Sequence, residues 1–207
     1  MGQPRAAATH LQRLVASLRG LRITAVDYAV LTCGQDGHQP QDWDYDTRHE
    51  PSMGCQITTD IADRFAFVWD NTFGSYGVEL HHRPLDQFLA HLGEPYGPIL
   101  VPVGEHPRWQ ALLDRHITET ELGWIEWASG DPSPCWIRLE LEPDNPASGK
   151  AESVWLFAGR WHAHGYSLAT DDITVIFDRA EAVQAGIATD RQPATSTQTQ
   201  PVDNPSP

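Results

Sequence analysis

Two groups of side chains in this 207-residue chain have types and spacings that could do chemistry. The first is Asp42-Trp43-Asp44-Tyr45-Asp46, with His38 and His49 nearby. Alternate residues of an extended segment point the same way, so its three carboxylates would face one direction, and hard cations are held by several converging oxygens. The same run sets two aromatic rings among its acids, which also suits contact with a basic protein. A solvated, self-repelling acidic loop is the plain alternative. The second group is histidine. His162 and His164 form an H-x-H pair near an expected strand end, where both imidazoles would emerge on one face. His81 and His82 end another expected strand and could supply a third ligand. These four are the metal-ligand candidates, against the simpler account of surface or hydrogen-bonded histidines.

Neither group completes a familiar pattern. The acidic run starts like an EF-hand calcium loop, but Thr47 stands at the obligatory glycine position and Met53 at the bidentate glutamate. The H-x-H pair is not followed by the glutamate that cupin metal sites use, because Gly165 to Ala169 hold no carboxylate. Asp171-Asp172, ahead of an apolar strand, could act as paired acids, although adjacent acids there more often mark a turn. Nucleophile-elbow, Walker, dinucleotide and H-E-x-x-H signatures are all missing, so the familiar nucleophilic and nucleotide chemistries gain no support. Eight tryptophans, five of them between Trp124 and Trp161, could stack on sugar rings, but large aromatics commonly build the core of a small sheet protein.

The elements that must position these residues follow from periodicity. Thr9 can cap a first helix whose Leu11, Leu14, Val15 and Leu18 fall on one face, with Gly20 as its stop. Val26, Tyr28 and Val30 share one face of a strand over residues 22–32, and a polar loop then runs from Gly34 to about Ser52. Strands are expected at 54–59, 64–70 and 76–82, the second with Phe65, Phe67 and Trp69 on one side. Pro84 opens a helix that Gly93 ends. Residues 97–103 form an extended connection and Pro107 opens another helix. Strands follow at 118–128, 135–142, 152–161 and 173–178, then a closing helix over 179–188. In the 135–142 segment Cys135, Ile137, Leu139 and Leu141 alternate with Trp136, Arg138 and Glu140.

This predicts an α+β fold with an antiparallel, β-rich core and a few short helices. Leu18, Ile23 and Thr24 recur as Leu112, Ile117 and Thr118, an offset of 94, which suggests two similar αββββα halves. The expected division is a flexible N-terminus (1–8), a first half (9–93), a second half packed on it as one domain (94–188), and a disordered Pro/Thr/Gln/Ser tail (189–207).

Composition narrows the function classes. Net charge is −14, carried by the middle of the chain, since the first twenty residues hold three arginines and no acid. Such a surface repels phosphate backbones and disfavours generic nucleic-acid binding, while it attracts basic partners and metal ions. No apolar run approaches the roughly 18 residues of a membrane span, and residues 1–20 lack the apolar core of a secretory signal. Three scattered cysteines fit neither a disulfide framework nor a zinc cluster, and point to a reducing, cytoplasmic compartment. The leading expectation is a non-catalytic acidic binding protein that neutralises a basic protein, in the manner of immunity proteins or antitoxins. A metal-dependent enzyme or metal-binding protein using the H-x-H strand site comes second. A tryptophan-lined binder of carbohydrate or another small ligand comes third. Apart from that divalent metal, no cofactor is indicated.

Overall fold

The computed structural model of the chain describes residues 3–33, 39–90, 97–126, 132–144 and 151–188. The readings placed on His38, Trp127, the Gly93 stop and the 189–207 tail therefore lie outside the described residues. Helix α1 (Gln3–Ser17) starts well before Thr9 and takes in most of the segment read as a flexible N-terminus. Ala6, Ala7 and Ala8 are the strongest helix formers, and Ala7 and Ala8 also pack on the core. Thr9 is thus no cap: its hydroxyl donates back to the Arg5 carbonyl at 3.0 Å, as threonines inside helices do. Leu11, Val15 and Leu18 are buried as their spacing requires, and Gly20 (φ 81°) supplies the left-handed turn that releases the chain.

Strand β1 (Ile23–Val30) is followed by three short strands, β2 (Thr32–Cys33), β3 (Gln39–Pro40) and β4 (Arg48–Ser52). Then come β5 (Gly54–Thr59), β6 (Arg64–Asp70), β7 (Gly77–His81) and α2 (Leu85–Leu89). The second run holds β8 (Ile99–Pro102), α3 (Pro107–Gln110), β9 (Ile117–Glu126), β10 (Pro132–Leu141), β11 (Glu152–His162), β12 (Gly165–Ile176) and α4 (Arg179–Gln184). All pairings are antiparallel, in two five-stranded sheets of order β7-β6-β5-β1-β8 and β4-β12-β11-β10-β9, with β2-β3 as a small ribbon. No helix among the described residues is long and apolar enough to cross a membrane.

The inner faces of the two sheets share one core. Val26, Tyr28, Ile57, Phe65, Phe67, Val78 and Leu80 of the first meet Ile137, Leu139, Leu141, Val154, Leu156, Ile173 and Val175 of the second. The alternation of β10 falls as its sequence demands, with Cys135, Ile137, Leu139 and Leu141 all buried. Burial of this kind contributes about 25 cal/mol per Å² and dominates the stability of such a fold. Two smaller apolar clusters lie on the outer faces, under α2 and under α4. Among the described residues no tryptophan is exposed, so the indoles serve packing first.

Each sheet contains the same meander: β7-β6-β5-β1 in one, β12-β11-β10-β9 in the other. A helix precedes each run and another follows it, which is the αββββα order repeated. The two copies meet at matching positions. Arg22 bridges His116, Gly20 donates to the Ile117 carbonyl (2.8 Å), and Ile117 donates to the Leu21 carbonyl (2.9 Å). Each sheet then borrows one edge strand from the other stretch of chain: β8 pairs with β1, and β4 pairs with β12. The connection expected over 97–103 contains the paired strand β8, whose Pro102 is tolerated because the strand is an edge.

Candidate functional site

The polar segment after β1 is where the sequence gives least periodicity and the structure most chemistry. Residues 43–50 form a tight hairpin, in which Glu50 N–H donates to the Trp43 carbonyl (2.7 Å) and Tyr45 N–H to the Arg48 carbonyl (3.0 Å). Asp46, at φ 63°, makes the turn, and its N–H is held by the Asp44 carboxylate at 3.1 Å. Asx side chains favour such turns because they mimic a backbone acceptor. The hairpin sets Asp44 directly opposite His49. Residues opposed in this way have neighbouring side chains on one face. His49 in turn lies in β4, opposite Val175 at the edge of the second sheet.

The third member comes from far along the chain. His106 caps α3, its Nδ1 accepting from Arg108 N–H at 3.3 Å, with Pro107 at the first helical position. Its Nε2 donates to Asp44 Oδ2 at 3.1 Å. His49 Nε2 lies 3.7 Å from Asp44 Oδ1. One ligand atom from each of Asp44, His49 and His106 falls within 4.8 Å of the other two, the only such trio among the described residues. The two imidazole rings cross edge-on with centroids 4.4 Å apart.

His49 is fully buried, and its Nε2 has no hydrogen-bond partner. Its other nitrogen, Nδ1, meets the Tyr28 hydroxyl at 2.8 Å, and the Trp109 indole N–H donates to the same hydroxyl at 2.5 Å. An indole only donates, so Tyr28 accepts there and keeps a proton and a lone pair for either tautomer of His49. Trp43, Trp109 and Phe177 enclose this group edge-on. Burial, with repulsion from His106 and Arg108, lowers the His49 pKa to about 3, so its ring is neutral at neutral pH. Burial pushes the Asp44 carboxyl up, but the Asp46 N–H and His106 outweigh it, and Asp44 stays ionised below the usual carboxylate range. Burial above all holds the Tyr28 phenol protonated. One side of the cluster opens into a depression of about 360 Å³ lined by Asp44, Asp46, His106, Pro107 and Arg108.

Of the acidic run, only Asp44 enters the cluster. Asp42 and Tyr45 are exposed, with the Tyr45 hydroxyl on the Asp42 carbonyl (3.2 Å), and the Asp46 carboxylate stands 94% in water, 3.9 Å from Arg108. Trp43 is a half-buried wall of the cluster. The four singled-out histidines sit elsewhere and belong to no trio of ligand atoms among the described residues. His81, on β7, lies 3.6 Å from Glu79 and against Phe88, and His82 lies 3.1 Å from Asp63 and stacks on Phe65. His162 and His164 stand at the β11–β12 turn, in the other sheet. Asp171 and Asp172 lie inside β12, the latter 3.6 Å from Arg160. The three cysteines are free, with Cys55 and Cys135 buried. His106, Tyr28 and Trp109 carry no local motif; only the pairing of β1 with β8, which leads into α3, brings them to the hairpin.

No family model, curated protein or solved structure matches this chain.

Proposed function

We propose that the protein binds one divalent transition metal ion, of the zinc type, through Asp44, His49 and His106. The observation that carries this reading is the buried Nε2 of His49, which has no partner and faces Asp44. An unsatisfied buried polar atom calls for an unseen water or ion. The spacing fits. Bonds of about 2.0–2.1 Å in a tetrahedral site separate neighbouring ligand atoms by roughly 3.4 Å; His49 Nε2 lies 3.7 Å from Asp44 Oδ1, His106 Nε2 lies 3.1 Å from Asp44 Oδ2, and one ligand atom from each residue lies within 4.8 Å of the other two. Two histidines and one carboxylate suit zinc or ferrous iron and leave positions open, as in catalytic rather than structural sites. Tyr28 would act as the outer partner that ligating histidines usually have. Loading requires His106 to release its Nε2 proton and give up its long capping bond to Arg108, a modest cost beside metal-ligand bonds.

The test is a zinc titration of metal-stripped full-length protein against a chromogenic chelator, with melting followed in parallel. We expect one ion per chain, a melting temperature that rises with free zinc, and loss of both in Asp44→Ala/His106→Ala. Failure to compete with even a weak chelator would rule this reading out.

A second proposal rests on the charge of −14 and on the exposure of Asp42, Tyr45 and Asp46: this hairpin tip contacts a basic protein partner. Capture of such a partner should weaken with salt, and Asp42→Asn/Asp46→Asn should weaken it further.

A further inference from the structure

We infer that the metal-loaded site takes the carboxylate of a small monoanionic ligand, held between the ion and Arg108; this rests on the metal reading above. Three protein ligands leave at least one position open on the ion. His49 closes the inner side, being fully buried, so the opening faces the depression beside Asp44, His106 and Arg108.

The charges facing that space are few. Asp44 and Asp46 bring two negative charges and Arg108 one positive, while an imidazole that ligates an ion does so in its neutral form. Empty, the pocket carries an excess negative charge and repels an anion. A divalent cation reverses the sign to one positive charge, which matches a monoanion and not phosphate with its higher charge.

Arg108 is placed but not used up. Its Nε–H donates to the Asp46 carbonyl at 3.2 Å, which fixes the side chain against the hairpin. Its Nη2 approaches Asp46 Oδ1 only to 3.9 Å, and that carboxylate is almost wholly in water. The remaining guanidinium N–H groups stay available on the pocket wall, and their planar fork matches a carboxylate better than an ammonium would. A space of about 360 Å³ admits a small carboxylic acid, with Pro107 offering the apolar contact. Because the ion switches the sign of the pocket, metal and anion must reinforce each other's binding, each by the same factor.

The experiment uses the full chain loaded with cobalt(II), whose visible absorption reports its coordination, and acetate as the probe. We expect acetate to change the spectrum saturably, cobalt to bind more tightly in acetate, and no acetate binding by metal-free protein in calorimetry. Arg108→Ala, which removes a positive charge beside the ion, should bind cobalt at least as tightly but acetate about tenfold to a hundredfold more weakly, and Arg108→Lys should fall between. Cobalt binding with an unresponsive spectrum, or an Arg108→Ala protein that takes acetate as well as the parent, would overturn this inference and leave the metal site standing. Acetate binding to the metal-free protein would overturn the sign reversal. No cobalt binding at all would remove the metal reading and this inference with it.

Discussion

The two αββββα runs are one frame used twice, yet only the first carries a long insertion, and the site forms where that insertion meets α3 of the second. The difference lies in a single connection. Between β9 and β10 the chain spends five residues, 127–131, whereas between β1 and β5 it spends 31–53. That longer stretch builds the 43–50 hairpin, adds β4 to the opposite sheet and returns through a corner at Ser52, Met53 and Gly54. The corner is sharp: Ser52 has φ 57°, and a Cβ on Gly54 would come within 2.8 Å of the Phe67 carbonyl. The frame thus supplies Tyr28 from β1 and, from α3 and its cap, Trp109 and the third ligand His106, while the insertion supplies Asp44 and His49. The lesson is a division of labour between repeated strands that hold and an added loop that acts, as rigid scaffolds commonly present functional loops.

That division breaks if frame and insertion cannot be damaged separately. Leu139→Ala, in the middle of the shared core, should cost about 2–5 kcal/mol on unfolding and leave zinc affinity of the folded protein unchanged. Asp44→Asn is the converse, a roughly hundredfold or greater loss of zinc affinity with little change in melting, since it removes a direct ligand where even outer partners are worth about 10–100-fold. Tyr28 stands at the junction, so Tyr28→Phe should do both, costing about 1–3 kcal/mol and about 10–100-fold in metal affinity. A variant that moved only one of these would place Tyr28 wholly in the frame or wholly in the site. Gly77→Ala sharpens the account of sheet packing, because its Cβ would meet the Pro134 carbonyl at 2.4 Å. About 1–3 kcal/mol of destabilisation is expected in chemical denaturation.

The smallest effect concerns acid. Burial, with repulsion from Arg83, lowers the His81 pKa to about 4. The unfolded chain therefore binds a proton that the folded one refuses between pH 6.5 and about 4, and stability falls as pH falls through that window, by an amount that solvent screening of this partly exposed ring keeps small. Glu79, raised chiefly by burial, works in the opposite sense just above pH 4.5, where the folded state takes up a proton first. His81→Asn should flatten the acid limb of a stability–pH curve, and Glu79→Gln should steepen it.

Much of the frame was legible in the residues. Apolar alternation at Val26/Tyr28/Val30, Phe65/Phe67 and Ile137/Leu139/Leu141 marks half-buried strands, and the offset of 94 holds for β1 with β9 and for α2 with α4, though not for the strands between, which the long insertion shifts. The site was legible only in part. Asp44 stood out among acids and His49 beside them, but β4 (Arg-His-Glu-Pro-Ser) has no alternating apolar residues to announce a strand. It is ordered by its pairing with β12. His106 looks like an ordinary residue before a proline, and lies 57 positions after His49. No local pattern joins two such residues; the antiparallel placement of β8 beside β1 does.

The most direct measurement is anomalous X-ray scattering at the zinc edge from crystals of the full chain grown with zinc. One strong peak per chain is expected, bonded to Asp44, His49 Nε2 and His106, with Tyr28 hydrogen-bonded behind His49. Zinc bound at His162 and His164 instead, or no peak beside a well-ordered His49, would contradict this site.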